Sequence, residues 1–334
     1  VLDVGSNTVN LLVVDARRGG HPTPMSSTKA TLRLAEAIDN GKITRRGADK
    51  LVSTIDEFAK ISASSGCTEL MAFATSAVRD AKNSEDVLSR VRSETGVDLR
   101  VLRGVDESRL TFLAVRRWYG WSAGRIINLD IGGGSLEVSS GVDEEPEVAL
   151  SLPLGAGRLT REWLSDDPPS RRRVAMLRDW LDNELADASA AVLKAGDPDL
   201  AVASSKTFRS LARLNGAAPS AAGPRAKRTL TLNGLRQLIS FISRMTTADR
   251  AELEGVSAER APQIVAGALV AEASMRALSI ETVDICPWAL REGLILRKLD
   301  SEADGTAFVE TSVRDAGGKA VDGTAVDRSR GDRR

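Results

Sequence analysis

The sequence predicts an α/β protein built from two related domains, and three observations lead there. Short apolar strand-like runs alternate with amphipathic helical runs along most of the chain. A length of 334 residues accommodates two domains of ~150 residues each. A strand–turn–strand unit also occurs twice in register. Asp3-Val4-Gly5-Ser6-Asn7-Thr8 returns as Asp130-Ile131-Gly132-Gly133-Gly134-Ser135, with a constant offset of 127 positions and apolar strands on both sides.

The elements read as follows. Val1–Val4 and Val9–Asp15 are strands joined by the first turn. Arg45–Ser64 has helical spacing through Leu51, Ile55, Phe58 and Ala59. Leu70–Ala74 is a short strand. Ser84 caps a helix to Thr95, with Glu85 and Asp86 where the helix dipole favours acids. Asp98–Leu102 is a strand, Glu107–Trp118 a helix, and Arg125–Leu129 a strand entering the glycine turn. Leu136–Val142 and Glu147–Leu152 form a strand pair. One long helix runs from Pro168-Pro169-Ser170 to Lys194, with Trp180 on its apolar side. Leu200–Ala203 is a strand and Asn215–Arg228 a loop. Asn233 caps a helix through Met245. Ala258–Leu278 is a helix, Thr282–Ile285 a strand, and Ala289–Leu299 the last helix. The domains expected are 1–123 and 124–300, with helix 289–299 packing back on the first. The Gly-, Asp- and Arg-rich stretch 301–334 is expected to be a disordered tail.

Composition excludes several chemistries. Forty-six basic residues balance forty-six acidic ones, which argues against nucleic-acid binding through bulk charge. The single histidine, His21, excludes multi-histidine zinc sites, and it lies in a Gly-Gly-His-Pro turn read as exposed. Two cysteines, Cys67 and Cys286, give no disulfide framework and point to a reducing, cytoplasmic compartment; Cys286 beside Pro287 reads as a strand-end residue, not a nucleophile. The longest apolar run, Ile264 to Ala271, is far short of the ~20 residues of a membrane span. The chain opens at Val1 inside a strand-like run, without a Met and without a leader-like layout, so its natural start is expected slightly upstream.

The repeated turn has direct chemical meaning. A tight glycine turn between strands aims several backbone N–H groups at one point and makes an anion nest. Thr8 and Ser135 each add a hydroxyl. An Asp at the strand end is unsuited to a bare phosphate but suited to Mg²⁺. Two such turns facing each other would clamp a phosphate chain and its ion between domains.

This pair of turns resembles the phosphate loops of the actin, Hsp70 and sugar-kinase superfamily, and further motifs resemble the exopolyphosphatase and guanosine pentaphosphate phosphohydrolase family. They are Ala74-Thr75-Ser76-Ala77-Val78-Arg79-Asp80-Ala81-Lys82-Asn83, Gly104-Val105-Asp106-Glu107-Ser108-Arg109-Leu110, Asp130 through Glu137, Leu154-Gly155-Ala156-Gly157-Arg158-Leu159, and Ala289-Leu290-Arg291-Glu292-Gly293-Leu294. The resemblance spans residues 1 to about 300 and implies two actin-like (ribonuclease H-like) domains around a cleft. It matches the short, two-domain branch without a C-terminal HD-type domain.

It also implies roles. The base that activates water lies in the 104–110 stretch; Glu107 is the choice, with Asp106 as neighbour and fallback. Asp130 is the first candidate for Mg²⁺ (Mn²⁺ as the alternative ion), then Glu137, then Asp3. Gly132, Gly133, Gly134 and Ser135 cradle one phosphate, and Ser6, Asn7 and Thr8 the other side. Arg79 contacts phosphate, with Thr75 and Ser76 as further donors. Arg158 is weaker, since Gly155 and Gly157 read as a turn, and Arg291-Glu292-Gly293 reads as fixing the last helix. Trp118, Tyr119 and Trp121 read as a hinge or core patch, and Arg225–Arg228 as a solvated basic loop. Two departures stand out: Leu136 replaces a family Thr, and Ala203-Ser204-Ser205-Lys206-Thr207 replaces a glycine-rich segment near the purine side in related kinases. The implied activity is release of terminal phosphate from inorganic polyphosphate, in short chains, by a homodimer. The alternatives are a pppGpp 5′-phosphohydrolase, a phosphotransferase like the acetate or sugar kinases, and a non-catalytic actin-like binder.

Overall fold

The computed structural model describes residues 1–304. Most of the expected tail lies outside the described residues. Its strands are β1 (Leu2–Val4), β2 (Thr8–Asp15), β3 (Thr23–Thr31), β4 (Ile38–Asp39), β5 (Lys42–Ile43), β6 (Ala72–Ala74) and β7 (Leu99–Val101), then β8 (Ile126–Ile131), β9 (Leu136–Gly141), β10 (Val148–Leu152), β11 (Leu200–Ala203), β12 (Thr229–Thr231) and β13 (Thr282–Ile285). The helices are α1 (Arg45–Ser64), α2 (Ser76–Arg79), α3 (Ser84–Thr95), α4 (Gly104–Tyr119), α5 (Ala156–Trp163), α6 (Arg171–Glu184), α7 (Ala186–Lys194), α8 (Lys206–Leu214), α9 (Leu232–Ile242), α10 (Thr247–Ala251), α11 (Ile264–Ala277) and α12 (Leu290–Asp304).

The internal repeat extends from the turns to whole sheets. One sheet has the order β3-β2-β1-β6-β7, the other β10-β9-β8-β11-β13-β12. In both, three antiparallel strands are followed by two parallel ones, and β12 adds one antiparallel strand to the second sheet. This is the actin-like, ribonuclease H-like topology, used twice.

Each sheet buries its own core. In the first, Leu2, Val4, Val9 and Leu11 meet Leu51, Ile55 and Phe58 of α1. In the second, Leu129, Ile131 and Leu136 meet Phe208 of α8 and Leu269 of α11. The second sheet's other face is covered by α4 through Phe112 and Val115, which pack with Ile126 and Val202. Helix α12 joins Val1, Leu12, Phe73, Leu102 and Leu110 through Leu294 and Ile295. Helices α4 and α12 touch so closely that a Cβ on Gly293 would stand 1.9 Å from the Leu110 carbonyl oxygen.

Several local expectations change. Ser84 is the first helical residue of α3, not its cap; Asn83 holds the cap position and spends its amide on both backbone groups of Ile43 (2.8 and 2.9 Å). Thr231, rather than Asn233, caps α9 by accepting from Gly234 N–H. The long helix divides at Leu185 into α6 and α7, although its apolar stripe runs across the break. Pro262 keeps the segment before α11 non-helical, so that helix starts at Ile264. The last helix runs on to Asp304 past the expected end, tied by an ion pair of Lys298 with Glu302 and by Ser301 Oγ donating to Lys298 O. Strand β3, and helices α5 and α8, have no counterpart in the sequence reading.

Candidate active site

The two repeated turns are the same structure. Gly5 N–H donates to Thr8 O at 3.0 Å, and Gly132 N–H to Ser135 O at 2.9 Å. In both, that carbonyl lies 3.4 Å from where a glycine Cβ would be. Behind the turns, Asp3 pairs across the ladder with Asn10, and Asp130 with Glu137.

The backbone aims both loops. Gly132 O and Gly133 O accept from the N–H groups of Ala156 and Arg158, and Gly134 O accepts from Arg158 Nε at 3.1 Å. Because a trans peptide points its N–H opposite its C=O, the following amides of Gly133, Gly134 and Ser135 face away from α5. The first loop repeats the device: Ser6 O accepts from Ala35 N–H, and Asn7 O from Leu32 and Arg33 N–H. Gly155 and Gly157 therefore do more than mark a turn. A Cβ on Gly155 would stand 2.2–2.4 Å from Gly134 and Ser135 backbone atoms, so glycine alone lets α5 abut the loop.

The loops meet. A Cβ on Gly133 would be 2.9 Å from Ser6 Cβ and 3.7 Å from Asn7 Nδ2, and one on Gly134 would be 2.4 Å from Ser76 Oγ. Ser6 and Ser76 share a 3.1 Å hydroxyl contact. Thr75 is buried, and its N–H donates to Val4 O, which seats α2 beside the first turn. Thr8 Oγ1 accepts from Asn10 Nδ2.

Four carboxylates gather behind this contact. Glu107, in the first turn of α4, holds Arg79 Nη1 at 3.3 Å, with its side chain 15% exposed. Burial pushes Glu107 up to about 7, Arg79 opposes the rise, and the charges of Asp130 and Asp3 add to it. Asp130 rises to about 6 by burial, countered first by a 2.8 Å hydrogen bond from Ser204 Oγ. Glu137 is buried and held well above the usual range by desolvation and then by Glu107 and Asp130; Ser151 Oγ donates to it at 2.9 Å. Asp3 is raised by burial, against the pull of Arg291. Asp106 stands apart, clamped by Arg103 at 2.6 and 2.9 Å. Arg79 also binds Asp80 and Leu102 O, and Asp80 accepts from Arg158.

The sequence reading missed Ser151 and the role of Ser204. Ser204 stood in the segment marked as a departure; Ser151, one polar residue in a strand, gave no signal. Two bland readings change in detail. His21 is exposed but lies 4.8 Å, centroid to centroid, from Trp288, which is 5.3 Å from Trp118. Arg228 is not simply solvated: it ties its loop by donating to the carbonyls of Ala218, Pro219, Gly223 and Ala226. Cys286 is buried, its thiol pushed up to about 12, unsuited to nucleophilic work. Glu292 accepts from Ala289 N–H and so fixes the start of α12.

Among the described residues, no three His, Cys, Asp or Glu side chains are arranged to hold a metal ion by themselves. The donor chemistry nevertheless suits a hard divalent cation. Mg²⁺ is commonly bound by one or two carboxylates plus substrate phosphates and water. Buried acids that raise one another's pKa are relieved by a cation among them.

The model of the Ppx/GppA phosphatase family matches residues 13–302. The chain is 85% identical over 334 residues to Exopolyphosphatase 1 of Mycobacterium leprae, covering 100% of this chain and 98% of the relative. It is 84% identical to Exopolyphosphatase 1 of Mycobacterium tuberculosis H37Rv, covering 99% and 98%. The crystal structure of an exopolyphosphatase from Cytophaga hutchinsonii has the same fold, with a TM-score of 0.81, 24% identity, and coverage of 92% of this chain and 98% of that one. A Ppx/GppA member from Aquifex aeolicus gives a TM-score of 0.76 at 24% identity, covering 90% and 97%. With the family match over most of its length and these full-length relatives, the chain belongs to the Ppx/GppA phosphatase family.

Proposed function

We propose that the protein is an exopolyphosphatase that hydrolyses the terminal phosphoanhydride bond of inorganic polyphosphate. The observation that carries this reading is the meeting of the two loops over a cluster of buried carboxylates, one of which, Glu107, is pushed up to about 7.

The terminal phosphate sits against the amides of Gly133, Gly134 and Ser135 and the hydroxyl of Ser135. Ser6, Asn7 and Thr8 close on it from the first loop, and Thr75 and Ser76 add donors beside them. Arg79 binds its oxygens and at the same time orients Glu107. Glu107 takes a proton from the attacking water, whose oxygen bonds to the terminal phosphorus as the bridging P–O bond breaks. The products are orthophosphate and a chain one unit shorter. A carboxyl near 7 is matched to proton transfer at neutral pH. Asp106, already committed to Arg103, is not the base.

Asp130, Glu137 and Asp3 are the residues that would hold Mg²⁺ or Mn²⁺. Such an ion neutralises charge on the phosphoryl oxygens. Ser204 and Ser151 orient these acids. The related pppGpp 5′-phosphohydrolase reaction needs a surface for guanine. The segment nearest that position here presents Ser204, Ser205 and Lys206, which favours the inorganic chain. A homodimer in a reducing compartment completes the proposal, and both cysteines are free thiols.

The test is phosphate release from short polyphosphate, long polyphosphate and pppGpp, with Mg²⁺ or with chelator. Metal-dependent release from polyphosphate, lost in Glu107→Gln, is expected. Release that persists under chelation would overturn the metal assignment, and preferential cleavage of pppGpp would overturn the substrate.

A further inference from the structure

Two of the motifs singled out in the sequence hold residues that the proposed reaction leaves unused. Asp80, from the 74–83 stretch, ends α2 in the first lobe, where its N–H donates to Ser76 O at 2.9 Å. Arg158, from the 154–159 stretch, lies in the first turn of α5 in the second lobe. The two side chains meet across the cleft, with Arg158 Nη2 donating to Asp80 Oδ2 at 2.5 Å. The other carboxylate oxygen, Oδ1, accepts from Arg79 Nε at 3.2 Å. One acid of the first lobe therefore holds two arginines, one from each lobe, with one oxygen apiece.

Each arginine is tied at its far side to a different part of the site. Arg79 Nη1 donates to Glu107 at 3.3 Å and to Leu102 O at 3.3 Å. Arg158 Nε donates to Gly134 O at 3.1 Å, and its backbone N–H to Gly133 O at 2.9 Å. The result is a continuous path, Glu107–Arg79–Asp80–Arg158–Gly134, from the base on α4 to the phosphate loop after β8. A cavity of about 290 Å³ lies alongside it, lined in part by Arg79, Asp80, Gly134 and Ser135. A second bridge joins the lobes at another edge. Glu259, before α11, accepts from Thr31 Oγ1 at 3.2 Å and lies 3.7 Å from Lys29 Nζ. Its bonds across the cleft run to edge strand β3, away from Glu107 and from the loop at 132–135.

The Asp80 side chain is 41% exposed and that of Arg158 28%, and ion pairs so open to water add little stability. What the bridge gives is placement. Hydrolysis needs the water-activating group and the phosphate cradle at a fixed separation, and a misplacement of ~1 Å costs up to about a hundredfold in rate. Here the base and the cradle come from opposite lobes. We propose that Asp80 is a positioning residue for the hydrolysis, which fixes the first lobe's base against the second lobe's phosphate loop through Arg79 and Arg158. The inference rests on the exopolyphosphatase reading. An acid offers a polyanion no attraction, so the contribution of Asp80 falls on kcat and not on KM.

The experiment measures kcat and KM for tripolyphosphate with saturating Mg²⁺. An amide has a single acceptor oxygen and turns a donor toward the other arginine, so Asp80→Asn should lower kcat about tenfold, with KM no higher than in wild type. Asp80→Glu keeps both oxygens and should hold kcat within about threefold of wild type. Arg158→Gln should also lower kcat about tenfold, and the Asp80→Asn, Arg158→Gln double variant should fall no more than about threefold below the worse single, because the path is already cut. Partial misfolding cannot mimic that saturation, since independent losses multiply to about a hundredfold. Glu259→Gln, which breaks the other bridge, should leave kcat within about twofold. The role is overturned by an unaltered kcat or a raised KM in Asp80→Asn, by a failed rescue in Asp80→Glu, or by losses that multiply in the double variant. An equal loss in Glu259→Gln also overturns it, because any clasp between the lobes would then serve. Wild-type protein that releases no phosphate sinks the parent reading, and this inference with it.

Discussion

Glu107→Gln should abolish hydrolysis and, at neutral pH, make the protein more stable. Glu107 has its folded pKa raised from 4.5 to about 7. Ionising it therefore costs the folded state more than the unfolded one. Its favourable contribution is fully present below pH ~4.5 and is lost as pH rises through about 7. At 1.36 kcal/mol per unit, the shift corresponds to about 3 kcal/mol. The side chain is 15% exposed, so solvent screening removes little of this. Glutamine keeps the volume and an oxygen for Arg79, and the value near 7 already includes Arg79's opposing pull, so losing the ionic pair subtracts nothing further. The net gain is about 3 kcal/mol at pH 8, a rise of roughly 5 °C in Tm, shrinking toward zero near pH 5. Without the base, phosphate release should fall by about 10²–10⁴. Calorimetry at both pH values and a phosphate-release assay read the two effects on one sample. A variant within about tenfold of wild-type activity, or one melting lower than wild type at pH 8, would refute the assignment of Glu107 as a base held against its own charge.

Four further outcomes follow from the same geometry. In wild type the rate should rise with pH along an acid limb at or below about 7, because the working form of Glu107 is ionised and a bound divalent cation offsets the Asp130 and Asp3 charges that raise it; a pH–rate profile at saturating metal checks this. Ser204→Ala removes the hydrogen bond that holds Asp130 down, so Asp130 should titrate above about 6 and half-maximal activation should need several-fold more Mg²⁺ at pH 6.5, with the difference narrowing at pH 8. Gly155→Ala drives a Cβ into the Gly134–Ser135 backbone and should cost at least about tenfold in kcat/KM by displacing the loop, which steady-state kinetics would detect. Gly293→Ala meets the Leu110 carbonyl at 1.9 Å, where neither helix can yield cheaply, and should lower stability by about 3 kcal/mol in denaturant unfolding.

What could be read in the residues, and what could not, divides along a physical line. Helix α1 is legible because Leu51, Ile55 and Phe58 fall on one buried face and Thr44 caps it. Strand β3 is not, because Thr23–Thr31 lies largely exposed at a sheet edge and has no apolar alternation to display. Helices α5 and α8 hide for another reason. Each is only eight or nine residues long, so the buried side chains, Leu159 in α5 and Phe208 and Leu211 in α8, give too few turns to show a period, and the residues that precede them serve other contacts: Gly155 its approach to Gly134, Ser205 a cap on Phe208 N–H, Ser204 the Asp130 carboxylate. Local propensity is overridden most where the backbone itself is part of the site.

The same contrast explains why the candidate site was more readable than the fold around it. A turn that must present amides from two sheets toward one point permits few residues, so Gly5 and Gly132 recur at a fixed offset and make the same 2.9–3.0 Å backbone closure. The residues that tune the acids have no such restriction. Ser151 reaches Glu137 across the β9–β10 ladder, 14 positions along the chain, and Ser204, at the end of β11, reaches Asp130 of β8, 74 positions away. Any hydroxyl placed there by the ladder would serve, so nothing in the neighbouring residues marks them. Duplication also accounts for the asymmetry of the acids. The position that is Asn10 in the first lobe is Glu137 in the second, opposite Asp3 and Asp130 respectively. A carboxylate at both would put a further charge among acids already raised by burial and mutual repulsion. One amide and one acid keep the negative charge on the second lobe's side, where Ser204 and Ser151 can hold it and where α4 delivers Glu107.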